Sequence, residues 1–233
     1  MVKHIPNALT LLNVFCGSCA LVSIQNGRYT EGYSFLLVSL IADFFDGFAA
    51  RLLNVKSDMG KELDSLADMV SFGVVPGLIL YKLIKTSSLA AQLGDSYWPL
   101  AAFIVTAFSC YRLAKFNLDT RQTTDFIGLA TPANTLFFIG LLLIKQQNLE
   151  GFDALISNTT FLYALIPLSS YLLVSEIPMF SFKFKGFGWA GNEIRFIFAA
   201  IAGVLLFWLH ESAVALLVVV YILLNIVSNL LKR

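Results

Sequence analysis

Long apolar runs broken by short polar clusters dominate this chain. Eight of them, at approximately 8–26, 31–53, 64–85, 97–116, 131–147, 158–176, 194–209 and 213–231, predict helices. Most reach the ~20 residues that cover about 30 Å of hydrocarbon; the fifth and seventh are shorter. Gly27 to Thr30 predicts a tight turn, and the segments 117–130 and 177–193 read as polar loops. The fold class that follows is all-α, a polytopic transmembrane helix bundle of about eight spans.

Composition agrees with the pattern. Of 233 residues, 58% are apolar and 13% charged, where a soluble domain carries about 25% charged residues. Twenty-one phenylalanines and a mean hydropathy of +0.76 point to lipid as the solvent. The formal net charge of +1 gives no electrostatic case for nucleic acid. Cys16, Cys19 and Cys110 fall inside predicted helices, so Cys16 and Cys19 read as small buried apolar residues and not as a redox or metal pair. Lys3 ahead of an apolar run imitates a signal peptide, but Pro6, Asn7, Thr10 and Asn13 scatter polar groups through its start, and the segment is read as the first span. With the N-terminus inside, twelve of the sixteen lysines and arginines fall on one side and four on the other. The positive-inside bias therefore places both termini in the cytoplasm. His4 and His210 have no partner at metal or catalytic spacing and read as interfacial, as does the loop carrying Lys183, Lys185 and Trp189.

Acidic residues in membrane helices are costly, about 2.5–3.5 kcal/mol for an aspartate at a helix centre, and so mark function by default. Asp43 and Asp46 stand near the end of the second span, Asp64 and Asp68 at the start of the third, all on the side read as cytoplasmic. Asp43, Asp46, Gly47 and Ala50 follow i, i+3, i+4, i+7 and share a helix face; so do Gly60, Asp64 and Asp68 at i, i+4, i+8. Antiparallel helices joined by the turn LLNVKSDMGKE would oppose these two carboxylate faces. Divalent cations with oxygen ligands, Mg²⁺ above all with substrate phosphates, would relieve the repulsion. Gly47, Ala50 and Gly60 leave space for a ligand, and Arg51 is placed to meet a phosphate. The alternative, helix capping and pairing with Arg51, Lys56 and Lys61, suits Asp58 and Glu62. A cation transporter would also line a path with aspartates, but at the bilayer midplane, and here all four sit at one end.

The run Asp43-Phe-Phe-Asp46-Gly47-Phe-Ala-Ala50-Arg51, eight further residues, then Gly60-x-x-x-Asp64-x-x-x-Asp68, resembles the motif of the CDP-alcohol phosphatidyltransferase family. The span pattern around it resembles that family's six-helix core, which implies a core over 1–176 followed at 177–233 by a cytoplasmic loop and two C-terminal helices. The resemblance implies displacement of CMP from a CDP-linked lipid by an alcohol, probed at an active site on the cytoplasmic side of the cell membrane. It implies two divalent ions, Mg²⁺ or Mn²⁺, with Asp43, Asp46, Asp64 and Asp68 as ligands and Asp68 also as general base. Pro6, Asn7 and Thr10 resemble the family's P-N-x-x-T entry segment and join Gly47, Ala50, Arg51 and Gly60 as expected CDP-lipid contacts, although Asn7 also suits a helix N-cap. A homodimer is implied as well.

Asp64-Ser-Leu-Ala-Asp68-Met-Val-Ser71-Phe-Gly73-Val-Val-Pro76, Tyr111-Arg112-Leu-Ala-Lys115-Phe-Asn117 and Gly128-Leu-Ala-Thr-Pro132-Ala resemble the phosphatidylserine synthase branch. Branch members typically have a small residue where this chain has Asn134, and Arg where it has Lys115. The implied substrates are CDP-diacylglycerol and L-serine, within a setting of membrane lipids. Arg112 and Lys115 at the end of the fourth span are the expected serine-binding residues, since a carboxylate needs a cation and arginine meets it bidentately. Glycerol phosphate or inositol phosphate would also call for basic residues there, so these residues leave the alcohol open.

Overall fold

A computed structural model describes residues 4–55, 57–89, 97–119, 126–149, 151–181, 188–189 and 191–231. Its long helices are α1 (Ile5–Gln25), α2 (Tyr29–Leu52), α3 (Asp58–Lys85), α4 (Trp98–Leu118), α5 (Thr131–Gln147), α6 (Thr159–Val174), α7 (Glu193–Leu209) and α8 (Ala213–Leu231), with a single short turn, Asp153–Ile156, before α6 and another, His210–Ser212, between α7 and α8. They match the eight expected runs. Among the described residues, four stretches are by length and composition long and apolar enough to cross a membrane: α1, α3, α4 and the α7–α8 stretch Glu193–Leu231. The protein is a polytopic helical membrane protein.

Local chemistry sets the helix ends. Pro6 occupies the first turn of α1, where its missing N–H costs nothing, and Gly27 at φ 78° makes the turn into α2. The third helix starts at Asp58, earlier than the expected residue 64, because the Ser57 hydroxyl accepts the Gly60 N–H at 3.0 Å and caps a polar first turn. Apolar periodicity does not register such a turn. Asp64 and Asp68 consequently sit well inside α3 and not at its start.

Immediately after Asp68 the helix widens into a π-helical turn, Met69–Val74. Hydroxyls of neighbouring helices tie its carbonyls: Thr106 donates to the Gly73 oxygen at 2.9 Å and Thr135 to the Phe72 oxygen at 3.0 Å. Insertions of this kind cluster at functional sites because they re-aim side chains along an otherwise regular helix. A second departure from an all-helical expectation is a two-stranded antiparallel pair, β1 (Phe126–Ile127) with β2 (Pro178–Met179).

The bundle divides into two halves along its axis. Away from the acidic end the interior is apolar, with Ile24, Leu36, Ile79, Leu83, Phe138 and Ile139 fully buried. Towards the acidic end the buried positions turn polar: Thr10, Asn13, Ser39, Ser71, Ser109 and Thr131. Close helix crossings need small residues there. A Cβ on Gly17 would lie 2.8 Å from the Ser71 Cα, so α1 and α3 could not meet as they do with any larger residue. Gly140 likewise admits the backbone of Ala215 and lets α8 dock on α5. Arg195 is the one buried residue of α7, whose Ile194 and Phe198 pack against Phe180 of the β2 segment and Tyr221 of α8.

Candidate active site

The antiparallel ends of α2 and α3 bring the aspartates together as their spacing predicted. Ligand atoms of Asp43, Asp64 and Asp68 all lie within 4.8 Å of one another. The Asp43 carboxylate interacts with those of both Asp64 and Asp68. Asp46, buried one turn further along α2, accepts a hydrogen bond from the Thr10 hydroxyl at 2.6 Å. Thr10 in turn sits where its hydroxyl also reaches the Pro6 oxygen at 3.0 Å.

Carboxylates at such separations repel unless a proton or a cation lies between them. One observation favours the cation: Asp64 Oδ1 is buried and accepts no hydrogen bond among the described residues. A buried anionic oxygen without a donor is expensive, and the Asp64 carboxylate also lies beside those of Asp43 and Asp68. An all-oxygen set of four aspartates has the hard-ligand chemistry that Mg²⁺ and Mn²⁺ prefer. The residues present fit a divalent metal centre.

A cavity of about 710 Å³ opens beside these carboxylates. That volume lies in the range of small-molecule sites, roughly 300–1,000 Å³. Its walls include Pro6, Asn7 and Thr10 from α1, Asp46, Gly47 and Ala50 from α2, and Gly60 and Asp64 from α3. Gly47 leaves open space where a side chain would project, and a Cβ on Gly60 would come 3.4 Å from Asn7 Oδ1. Thus the entry segment of α1 and the small residues between the aspartates meet at one cleft. His4, read from sequence as interfacial, also lines it. Arg51 is exposed and is not among the lining residues.

On the other side of Asp68 stands Arg112 of α4. It is buried, its guanidinium lies 4.9 Å from the Phe116 ring centroid, and its charge acts on Asp68 and Asp43. Among the described residues it has no ion pair within 4 Å. Lys115 is placed differently. Its ammonium pairs with Glu176 at 3.5 Å and donates to the Val174 oxygen at 3.3 Å, which fastens α4 to the end of α6.

The sequence reading missed Asn13. This fully buried amide donates to Asp68 Oδ1 at 3.1 Å, while its own Oδ1 accepts the Ser39 hydroxyl at 2.5 Å. Ser71 donates to the Asn13 backbone oxygen at 3.1 Å. One residue of α1 thereby locks α2, α3 and the orientation of Asp68. The signal was present: Thr10, Asn13 and Gly17 repeat at i, i+3, i+7, a polar and small face on an otherwise apolar span.

A helical membrane bundle with a carboxylate cage that fits a divalent metal, beside a cleft of small-molecule size, has the makings of a membrane enzyme site. The sequence matches the CDP-alcohol phosphatidyltransferase description over residues 3–173. Similar curated proteins include the CDP-diacylglycerol–serine O-phosphatidyltransferase of Bacillus subtilis, 34% identical over 78% of this chain and 92% of that protein. Those of Mycobacterium bovis and Helicobacter pylori (strain 26695) are each 34% identical, covering 75% and 76% of this chain. The aligned region spans 60% of the mycobacterial protein and 72% of the Helicobacter one. The chain belongs to the CDP-alcohol phosphatidyltransferase family and is a transferase.

Proposed function

We propose that this chain is a phosphatidylserine synthase, transferring the phosphatidyl group of CDP-diacylglycerol to the hydroxyl of L-serine with release of CMP. The observation that carries the reading is the carboxylate cluster of Asp43, Asp64 and Asp68, within 4.8 Å, at the edge of the 710 Å³ cleft. The printed names of the relatives supply the acceptor, and a buried Arg112 beside Asp68, without an ion pair among the described residues, suits an amino-acid carboxylate.

The cleft between α1 and the ends of α2 and α3 takes the cytidine and diphosphate. Pro6, Asn7, Thr10, Gly47, Ala50 and Gly60 shape it, and Arg51 stands at the end of α2 to meet a phosphate at the rim. Asp43, Asp46, Asp64 and Asp68 would hold two divalent ions, Mg²⁺ or Mn²⁺, whose charge offsets that of the diphosphate and of the departing CMP. Serine binds on the Arg112 side of Asp68. Its hydroxyl oxygen forms a bond to the lipid-side phosphorus as the bond from that phosphorus to the bridging oxygen breaks. CMP departs with the electron pair, and the hydroxyl proton passes to Asp68. Lys115, tied to Glu176, holds the end of α4 that carries Arg112.

The cytoplasmic placement of this site draws on its cations. Arg51, Lys61, Arg112, Lys115 and Arg195 gather at the acidic end, whereas Arg28, Lys82, Lys85 and Lys145 mark the other. Lys3, Lys56, Arg121, Lys183, Lys185, Lys232 and Arg233, counted on the same side, lie outside the described residues. The working form is taken as a homodimer from the family resemblance. The test is CMP release by purified protein given CDP-diacylglycerol, Mn²⁺ or Mg²⁺, and L-serine, glycerol 3-phosphate or inositol phosphate in turn. Release dependent on serine supports the reading, and release with a phosphorylated alcohol alone overturns it.

A further inference from the structure

The first turn of α5 contains two buried polar groups that the site described so far does not use. Thr131 is fully buried, and its hydroxyl has no hydrogen-bond partner among the described residues. Asn134, 1% exposed, accepts the Ser169 hydroxyl at Oδ1 at 2.6 Å, and its Nδ2 donates to none of the described residues. Buried polar atoms of this kind are uncommon, and each calls for a reason. Ser169 holds the amide so that the free N–H₂ end, a donor, is the one left over.

Hydrogen bonds across the bundle fix the height of this turn. Thr135 donates to the Phe72 oxygen, so Thr131, one helical turn nearer the acidic end on the same face, stands level with Asp68. Thr106 donates to the Gly73 oxygen, and Arg112, six residues or about 9 Å along the oppositely directed α4, returns to that level too. The charge of Arg112 acting on Asp68 agrees with this height. Above the turn, Ala133 packs against the cluster of Leu129, Met179, Phe180 and Tyr221, which shields it from water. Two polar groups and a guanidinium without partners among the described residues therefore stand near the height of Asp68, under an apolar roof.

We propose that Thr131 and Asn134 form the specificity wall of the acceptor pocket, with the Asn134 amide donating to the acceptor's carboxylate alongside Arg112. This rests on the amino-acid acceptor reading above. An amide donor and a guanidinium together select a carboxylate and disfavour an acceptor that lacks one, since both donors would then be buried unpaired. Ser169 acts through Asn134 as a positioning residue.

The test compares wild type with Asn134→Asp, Asn134→Leu and Thr131→Val, measuring KM for L-serine, KM for CDP-diacylglycerol and turnover of serinol, which keeps the hydroxyl and ammonium but carries a hydroxymethyl group in place of the carboxylate. Asn134→Asp retains shape and the acceptor for Ser169 while turning the donor into a repelling carboxylate. It should raise the serine KM by about tenfold or more, as expected for a lost hydrogen bond to a charged group, with the CDP-lipid KM unchanged. The preference for serine over serinol should narrow in both Asn134 variants. A serine KM and serinol preference within twofold of wild type in a folded Asn134→Asp protein overturns the proposal. Thr131→Val, an isosteric change, decides the same question should Asn134→Asp fail to fold. If wild type itself releases no CMP with serine, it is the reading of function that fails and not the wall.

Discussion

Replacing Asn13 with leucine tests how Asp68 is held. The amide donates to Asp68 Oδ1 at 3.1 Å and is fixed by Ser39 at its other end, 2.5 Å away, with no solvent access. Ser39 can also donate to the Asn13 backbone oxygen at 3.2 Å, an acceptor that survives the substitution. The loss therefore falls on Asp68 alone. A hydrogen bond to a charged group contributes about 1.5–3 kcal/mol. At 1.36 kcal/mol per tenfold in rate, kcat should drop by about 10- to 150-fold if the bond serves the transition state fully.

The assay is CMP release in detergent micelles at saturating CDP-diacylglycerol and serine, with the thermal unfolding midpoint measured on the same preparation. A residue that only packs would lower the midpoint and leave kcat of the folded fraction intact. One that orients Asp68 lowers kcat and raises the Mn²⁺ concentration needed for half-maximal rate, because Asp68 is also a ligand candidate. Ser39→Ala leaves the Asn13 amide in place but free to turn, so its loss should be smaller, about several-fold. An Asn13→Leu protein that folds and keeps kcat within twofold refutes the anchor, and the short Ser39 contact would then be merely structural.

Asp68→Asn keeps the shape of the side chain but not its basicity, so CMP release should fall to background while CDP-diacylglycerol binding, followed by thermal shift, persists; loss of binding with residual turnover would contradict the base assignment. Chelation with EDTA should abolish CMP release, and adding back Mn²⁺ or Mg²⁺ should both restore it and raise the unfolding midpoint, because a cation relieves four clustered carboxylates; an unchanged midpoint argues against ion binding at this cage. Gly17→Ala forces a Cβ to within 2.8 Å of the Ser71 Cα and should cost about 1–3 kcal/mol through separation of α1 and α3. Its midpoint should fall, and kcat with it, since Ser71 bonds the Asn13 carbonyl at that same crossing.

Much of this molecule is legible in its sequence, for a physical reason. A bilayer imposes one length and one polarity on every span, so eight apolar runs declared eight helices. Charges inside such runs are too costly to be incidental, so Asp43, Asp46, Asp64 and Asp68 marked the candidate site. What stayed hidden depends on pairing between helices that are far apart in sequence. Spacing puts Asn13 on the polar face of α1 with Thr10 and Gly17, but only contact with Ser39 and Asp68, 26 and 55 residues away, gives it a task. Arg112 and Lys115 lie one turn apart and looked equivalent, yet Glu176 takes Lys115 and leaves Arg112 buried without an ion pair among the described residues. The π turn after Asp68 is also silent in the sequence: the hydroxyls that meet its carbonyls, Thr106 and Thr135, come from other helices. The same logic bears on Asn134. Read alone it is a departure from the small residue common in the serine-using branch. Set against Ser169, and near the height of Asp68, it becomes a donor held in place with no acceptor among the described residues. A buried polar group tolerated at such cost inside a membrane is best accounted for by what arrives to meet it.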